Sequence, residues 1–257
     1  MTTQAWPLLA LAAFAGGFLN AVAGGGSFLT FPALVFAGIP PVAGNATSAV
    51  VLSPGYLGSA YGFRAELGAQ PGARLRREGA LCAAGGVAGA LLLLLTPGRL
   101  FSGVVPWLIL FATGLFALGP RILAARGRTS AAGRDGKAPR SALGSLALLL
   151  ISVYGGYFNG GLGILLLARS AAGGEPSIHT ANALKNFNSF VLSLVSVAAF
   201  ILAGIVRWPQ AVVMMALATA GGFLGARLAL RLPAAWVRGA ILTAGLGTAG
   251  WFFHRPL

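Results

Sequence analysis

Acidic side chains are nearly missing from this chain: 4 Asp and Glu stand among 257 residues, against 18 Lys and Arg. Charged residues of both signs make up only 9%, where a soluble domain carries about 25% to keep its surface in water. That scarcity excludes an ordinary soluble globule. One cysteine, Cys82, excludes an internal disulfide and reads as a small packing residue in an apolar helix. Two histidines, His179 and His254, are too few and too far apart in sequence to suggest a metal site. Ten-residue strands of alternating polarity are missing too, which argues against an outer-membrane barrel. The N-terminus lacks the basic stretch that opens a signal peptide.

Apolar residues fill the space: 57% of the chain, with a mean hydropathy of +0.83. Long runs at 80–96, 102–120, 141–168, 211–225 and 239–253 carry few or no charges. Several approach or exceed the roughly 17–25 residues that cross a bilayer as a helix. The fold class is therefore an all-α polytopic membrane protein, multi-pass in the cell (inner) membrane. Its net charge of +14 does not indicate a nucleic-acid partner, because the charges sit beside the apolar runs. Arg64, Arg74, Arg76 and Arg77 form one group, and Arg121, Arg126, Arg128, Arg134, Lys137 and Arg140 a second. Arg227, Arg231 and Arg238 form a third. Such basic loops mark the cytoplasmic side of a membrane protein.

The sequence repeats itself. Gly16-Gly17-Phe18-Leu19-Asn20 returns as Gly155-Gly156-Tyr157-Phe158-Asn159, and Asn45-Ala46-Thr47-Ser48 returns as Asn182-Ala183-Leu184-Lys185. The offsets, 139 and 137, differ by a two-residue gap. Two halves follow, 1–124 and 141–257, joined by a basic linker at 125–140. Each half opens on a glycine-broken segment, at about 6–38 and 142–172. Three spans come after each: about 44–66, 79–96 and 102–124, then 177–205, 209–230 and 235–253. About 8 membrane segments result. If each broken segment dips in and returns as a hairpin, the loop at 64–78, the linker and the loop at 227–238 share the cytoplasmic side. Both termini then lie outside, with Arg255 mildly opposing, and the halves are two inverted repeats, a plan common among secondary transporters.

Candidate site residues cluster at the breaks. Gly24, Gly25 and Gly26 cannot sit comfortably in a helix, each costing about 1 kcal/mol relative to Ala. Broken backbone inside a bilayer survives only where protein or a water-filled cavity satisfies it. Asn159, Gly160 and Gly161 repeat the pattern. Amides opening the half-helix after a break attract anions, so Asn20, Asn159, Ser27 and the glycine amides become candidate oxyanion ligands. The alternative is that these glycines only let helices approach closely.

Lys185 stands about eight residues into its span, around 12 Å deep, beside Asn182, Asn186 and Asn188. An ionisable residue there suits a counter-charge for an anionic substrate; the alternative is snorkelling to the interface. Asn45, Thr47 and Ser48 hold the matching place in the first half. Glu66, Glu78, Asp135 and Glu175 all fall in expected loops or span ends, which argues against a cation site or a carboxylate proton relay. Arg169 is expected to snorkel from its hairpin. Gly161-Leu162-Gly163 is no dinucleotide fingerprint, and residues 24–27 lack the Lys of a phosphate loop, so no cofactor is expected. An intramembrane enzyme would need a nucleophile with its base or clustered metal ligands at one depth, and the sequence offers neither.

Residues 23–34 (Ala-Gly-Gly-Gly-Ser-Phe-Leu-Thr-Phe-Pro-Ala-Leu) with Gly44-Asn45-Ala46-Thr47-Ser48 resemble the first signature of the TauE/SafE sulfite exporter family. Tyr154 to Gly163, with His179-Thr180-Ala181-Asn182-Ala183-Leu184-Lys185-Asn186, resembles the second. The resemblance spans nearly the whole chain; at Asn159 the family often has a small residue. It implies an exporter of sulfur-containing anions such as sulfite, sulfonates, sulfoacetate or thiosulfate, and by analogy a homodimer. A transporter or channel for a different small anion stays open beside it.

Overall fold

The computed structural model describes residues 5–130, 142–175, 177–228 and 234–254, and every regular element among them is an α-helix. The first half contributes α1 (Ala5–Ala23), α2 (Ser27–Phe36), α3 (Pro41–Gly62), a short α4 (Arg64–Gly68), α5 (Gly72–Leu95) and α6 (Gly98–Ser130). The second contributes α7 (Ala142–Tyr157), α8 (Leu162–Ala172), α9 (Ile178–Leu202), α10 (Trp208–Leu228) and α11 (Ala234–His254). Four stretches among the described residues are long and apolar enough to cross a membrane: Gly72–Leu95, Gly98–Leu115, Ile178–Leu202 and Trp208–Gly225. Leu11, Leu95, Trp107, Leu143 and Leu202 project outward with most of their surface uncovered. Apolar exposure on this scale suits lipid, not water.

Two sequence expectations shift at helix boundaries. The loop expected at 64–78 is mostly helical, because Pro71 stands just before α5 and presets its first turn. Arg74, Arg76, Arg77 and Glu78 thus ride on α5. The linker expected at 125–140 begins as a continuation of α6 to Ser130; Arg134, Asp135, Lys137 and Arg140 lie outside the described residues, as do Arg231 and Arg255.

The packing of the halves is reciprocal. α1 lies along α10 as α7 lies along α5; α3 packs on α9 and α6 on α11; α5 touches α9 as α10 touches α3. Glycines set the closest seams. A Cβ on Gly85 would fall 2.9 Å from the Leu149 carbonyl oxygen, and one on Gly89 would strike that of Val153. In the other half a Cβ on Gly221 would strike the Phe14 carbonyl, and one on Gly225 would fall 2.7 Å from that of Phe18. Both seams use one pattern, Ala84-Gly85-Gly86-Val87-Ala88-Gly89 and Ala220-Gly221-Gly222-Phe223-Leu224-Gly225. Small residues at helix crossings in membranes allow such backbone approach.

These seams relate α5 to α10 by 136 residues and α1 to α7 by 135. The helix starts at Ser27 and Leu162 give 135 as well. The Gly-Gly-Phe-Leu-Asn match, at 139, is therefore one helical turn out of packing register. In that register Gly155 occupies the place of Asn20. Packing register follows where a small residue meets a neighbouring carbonyl, and the motif's letters do not encode that.

Candidate functional site

Both broken segments turn back on themselves. In the first, a Cβ on Gly16 would lie 2.8 Å from Thr30 Cγ2, and one on Gly26 would lie 2.5 Å from the Gly16 carbonyl oxygen and 2.9 Å from Asn20 Cβ. In the second, a Cβ on Gly155 would lie 2.8 Å from Leu162 Cδ1, the Tyr154 hydroxyl donates to the Gly160 carbonyl at 2.6 Å, and Arg169 Nε donates to that of Gly144 at 3.2 Å. The arms of each hairpin are thus antiparallel. α2 and α8, with 10 and 11 residues, reach only about 15 Å each, half the hydrocarbon thickness.

Each tip turns through a glycine of positive φ, Gly24 at 76° and Gly161 at 73°, a conformation most other residues adopt only under strain. The tips meet. A Cβ on Gly24 would lie 3.5 Å from Gly163 Cα, and one on Gly163 would lie 3.6 Å from both Gly24 Cα and Lys185 Cδ. The Lys185 stem therefore passes over the first turn of α8 where the hairpins touch. No side chain caps α2 or α8, whereas Ser177 caps α9 through the Thr180 amide. At α2 the amides of Gly25, Gly26 and Ser27 donate to no backbone carbonyl among the described residues. Uncapped helix starts leave N–H groups seeking an acceptor, and the dipole makes an anion the preferred one.

Lys185 is partly buried and has neither a hydrogen bond nor an ion pair among the described residues. Asn20 Oδ1 is buried without a partner, and Asn20 Nδ2 points towards Gly55, 3.5 Å from where a Cβ there would be. Asn186 is buried. Lys185, Gly24, Gly25, Gly26, Ser27, Gly161 and Asn20 are thus drawn to one region, in which Lys185 has no partner among the described residues and the Gly24 amide is spent on the Asn20 carbonyl. Behind the tips the wall is aromatic: the Phe31 ring meets that of Phe158 edge-on at 5.7 Å and stacks on Phe252 at 5.9 Å.

The other candidate side chains are occupied. Asn45 Nδ2 donates at 2.9 Å to the Tyr157 carbonyl, the last of α7. Thr47 Oγ1 donates to the Ala43 carbonyl and accepts the Arg207 amide at 3.0 Å, tying the start of α3 to the loop after α9. Ser48 Oγ pairs with Thr30 Oγ1 at 2.6 Å. The Asn159 amide exchanges hydrogen bonds of 3.2 and 3.4 Å with the Tyr56 hydroxyl. Asn182 Nδ2 turns back to the Ile178 carbonyl of its own helix. Gly160 lies at the second tip, its carbonyl taken by Tyr154.

Two expectations are corrected. Glu78 is not in a loop: it is 6% exposed inside α5, accepting from Asn188 Nδ2 at 2.7 Å and from both Arg169 terminal nitrogens at 3.3 Å. Arg169 accordingly does not snorkel; it is paired. Helix α5 begins earlier than its apolar run, so a residue counted as flanking lands against α8 and α9. Tyr56, Thr30 and Gly163 were not singled out by the sequence as site residues; Thr30 and Gly163 lie within the two quoted signatures, and Tyr56 carried no signal.

The profile of the family described as "Sulfite exporter TauE/SafE" matches residues 9–252. Among curated proteins the chain is similar to a "Probable membrane transporter protein ORF9" of Sinorhizobium sp., 27% identical over 236 residues, covering 90% of this chain and 85% of that protein. It is similar to a "Probable membrane transporter protein" of Haemophilus influenzae, 27% identical, with 84% and 82% covered. The "Probable membrane transporter protein YfcA" of Escherichia coli is also 27% identical, with 88% and 79% covered. No solved structure matches the chain.

Proposed function

The chain belongs to the TauE/SafE sulfite exporter family, and from that membership we propose that it exports small sulfur-containing oxyanions, such as sulfite or organosulfonates, by alternating access. That it is a membrane transporter follows from the family and its relatives; substrate class, direction and mechanism are the proposal. In it the chain spans the inner membrane with its halves inverted, the two hairpins and six longer helices giving eight membrane segments. The reciprocal packing of α1 on α10 and α7 on α5 supports that symmetry. The basic residues of α4 and the start of α5 face the cytoplasm.

One observation carries the site: Lys185 lies unpaired where two uncapped helix starts meet. Lys185 would neutralise the anion, and the amides of Gly25, Gly26 and Ser27 with Asn20 would bind its oxygens. Asn186 lies on the next position of α9. Asn45, Thr47, Ser48 and Asn159 would hold the frame, since their hydrogen bonds tie α3 to α7, to the α9–α10 loop and to both hairpins.

The experiment is flux into proteoliposomes for sulfite, a sulfonate, thiosulfate and sulfate, with and without a pH gradient. An opposite charge at about 4 Å is worth about 4 kcal/mol where the effective dielectric is about 20. Lys185→Ala should therefore lower saturable flux at least tenfold while the protein stays monodisperse in detergent. Wild-type flux from that variant defeats the site, and flux that neither saturates nor counter-exchanges identifies a channel instead.

A further inference from the structure

Glu78 gathers an ionic cluster at the end of the molecule where α5 and α7 begin and α8 finishes. It accepts from Arg169 of α8 and Asn188 of α9, and Arg74 reaches it at 3.5 Å while pairing with Glu175 at 2.9 Å. Arg169 also donates to the Gly144 carbonyl of α7. One cluster thus fastens the second hairpin to α5 and α9.

The packing registers of 135 and 136, with the 137-residue offset between the starts of α3 and α9, name its counterpart in the other half. Gly144, Arg169, Asn188 and Glu78 correspond to Leu9, Leu34, Val51 and Met214. Those four lie together in one buried apolar cluster with Ile39, Ala43 and Ala218. That cluster fastens the first hairpin to α3 and α10, near the start of α3, which Arg207 of the α9–α10 loop also holds. The two ends of α3 and α9 are therefore clamped alike in position and oppositely in chemistry.

Resting on the transporter reading, we propose that the ionic clamp is the gate that admits water and anion from the end bearing Glu78, and that the apolar clamp is the tighter seal. Separating the ionic clamp exposes groups that water solvates. Separating the apolar one exposes large side chains that are costly to wet. Removing one partner of a buried ion pair destabilises it by stranding the other, whereas replacing the whole set with apolar side chains is often neutral or stabilising.

The chain's single cysteine reports the gate. Cys82 is fully buried one turn beyond Glu78 on α5, accepting from Ser152 Oγ at 3.5 Å. Its labelling by a membrane-impermeant thiol reagent is measured in vesicles of each orientation, together with counter-exchange of the transported anion. E78Q should raise the labelling rate at least tenfold, from the cytoplasmic side only, and the charge swap E78R/R169E should bring it back within threefold of wild type. The triple variant E78M/R169L/N188V, which copies the apolar clamp, should label no faster than wild type and exchange at least tenfold more slowly. M214Q, at the other seal, should leave Cys82 labelling within twofold.

Unchanged labelling in E78Q, or labelling from the periplasmic side, overturns the gate, as does a triple variant that exchanges at the wild-type rate. If the triple variant does not fold, E78Q and the swap decide alone. Labelling needs no substrate, so a failed gate leaves the transporter reading standing, and an inactive protein with the expected labelling strikes only that reading.

Discussion

Gly89→Ala should destabilise the protein, and Gly103→Ala should not, although each replaces a helical glycine by the better helix former. At Gly89 the added Cβ would strike the Val153 carbonyl oxygen and sit 2.7 Å from the Tyr157 nitrogen and 2.9 Å from the Gly156 carbonyl carbon. All three are backbone atoms of α7, so no rotamer change relieves them. Comfortable carbon contacts lie near 3.5–4.0 Å, which forces α7 away from α5 by several tenths of an ångström or more. Overpacking of this kind costs about 1–3 kcal/mol, against a propensity gain of about 1 kcal/mol. The net loss expected at Gly89, where the contacts are shortest and all to backbone, is up to about 2 kcal/mol. At Gly225 the nearest atom is 2.7 Å away and the rest of Phe18 stands at 3.0 Å or more, so the loss should be smaller. At Gly103 nothing lies within 4 Å, and the propensity gain should appear alone. Thermal unfolding of the purified protein in one detergent measures the order: Gly103→Ala above wild type, Gly225→Ala below it, Gly89→Ala lowest. If Gly89→Ala and Gly103→Ala shift the midpoint in the same direction, the close-approach argument fails.

Tyr56→Phe removes the partner of a buried amide, and an orphaned polar group costs about 1–3 kcal/mol; the second tip should loosen, read as faster proteolysis or hydrogen exchange around residues 158–161. Asn45→Leu strips the cap from the Tyr157 carbonyl and should show a similar stability loss, with exchange slowed more than Asn182→Leu slows it, since Asn182 bonds only within its own helix. Gly161→Ala forces a side chain into a φ of 73° and should cost about 1–2 kcal/mol, whereas Gly160, without a positive φ, should be limited by the Phe158 ring 2.6 Å away. Equal effects at 160 and 161 would refute the backbone explanation for the second.

Membrane class and helical content were written in composition, because 9% charged residues cannot clothe a soluble surface. The breaks at 24–26 and 160–161 were legible too, although glycine pairs alone do not decide a break, since those at 85–86 and 221–222 stay inside α5 and α10. Lys185 could be picked out because an ionisable residue deep in an apolar span has few structural excuses. The partners of those residues were not legible. Asn159 and Asn45 look like ligands in sequence, yet they spend their amides on Tyr56 and on the end of α7, and only the crossing of α3 with the hairpins decides that. The repeat's true register was hidden as well, since backbone approach at Gly85, Gly89, Gly221 and Gly225 sets it. Glu78 is the sharpest case. Sequence alone placed it beside a span, where water would solvate it at little cost; tertiary structure buried it against Arg169 and Asn188, and a buried charge requires such partners.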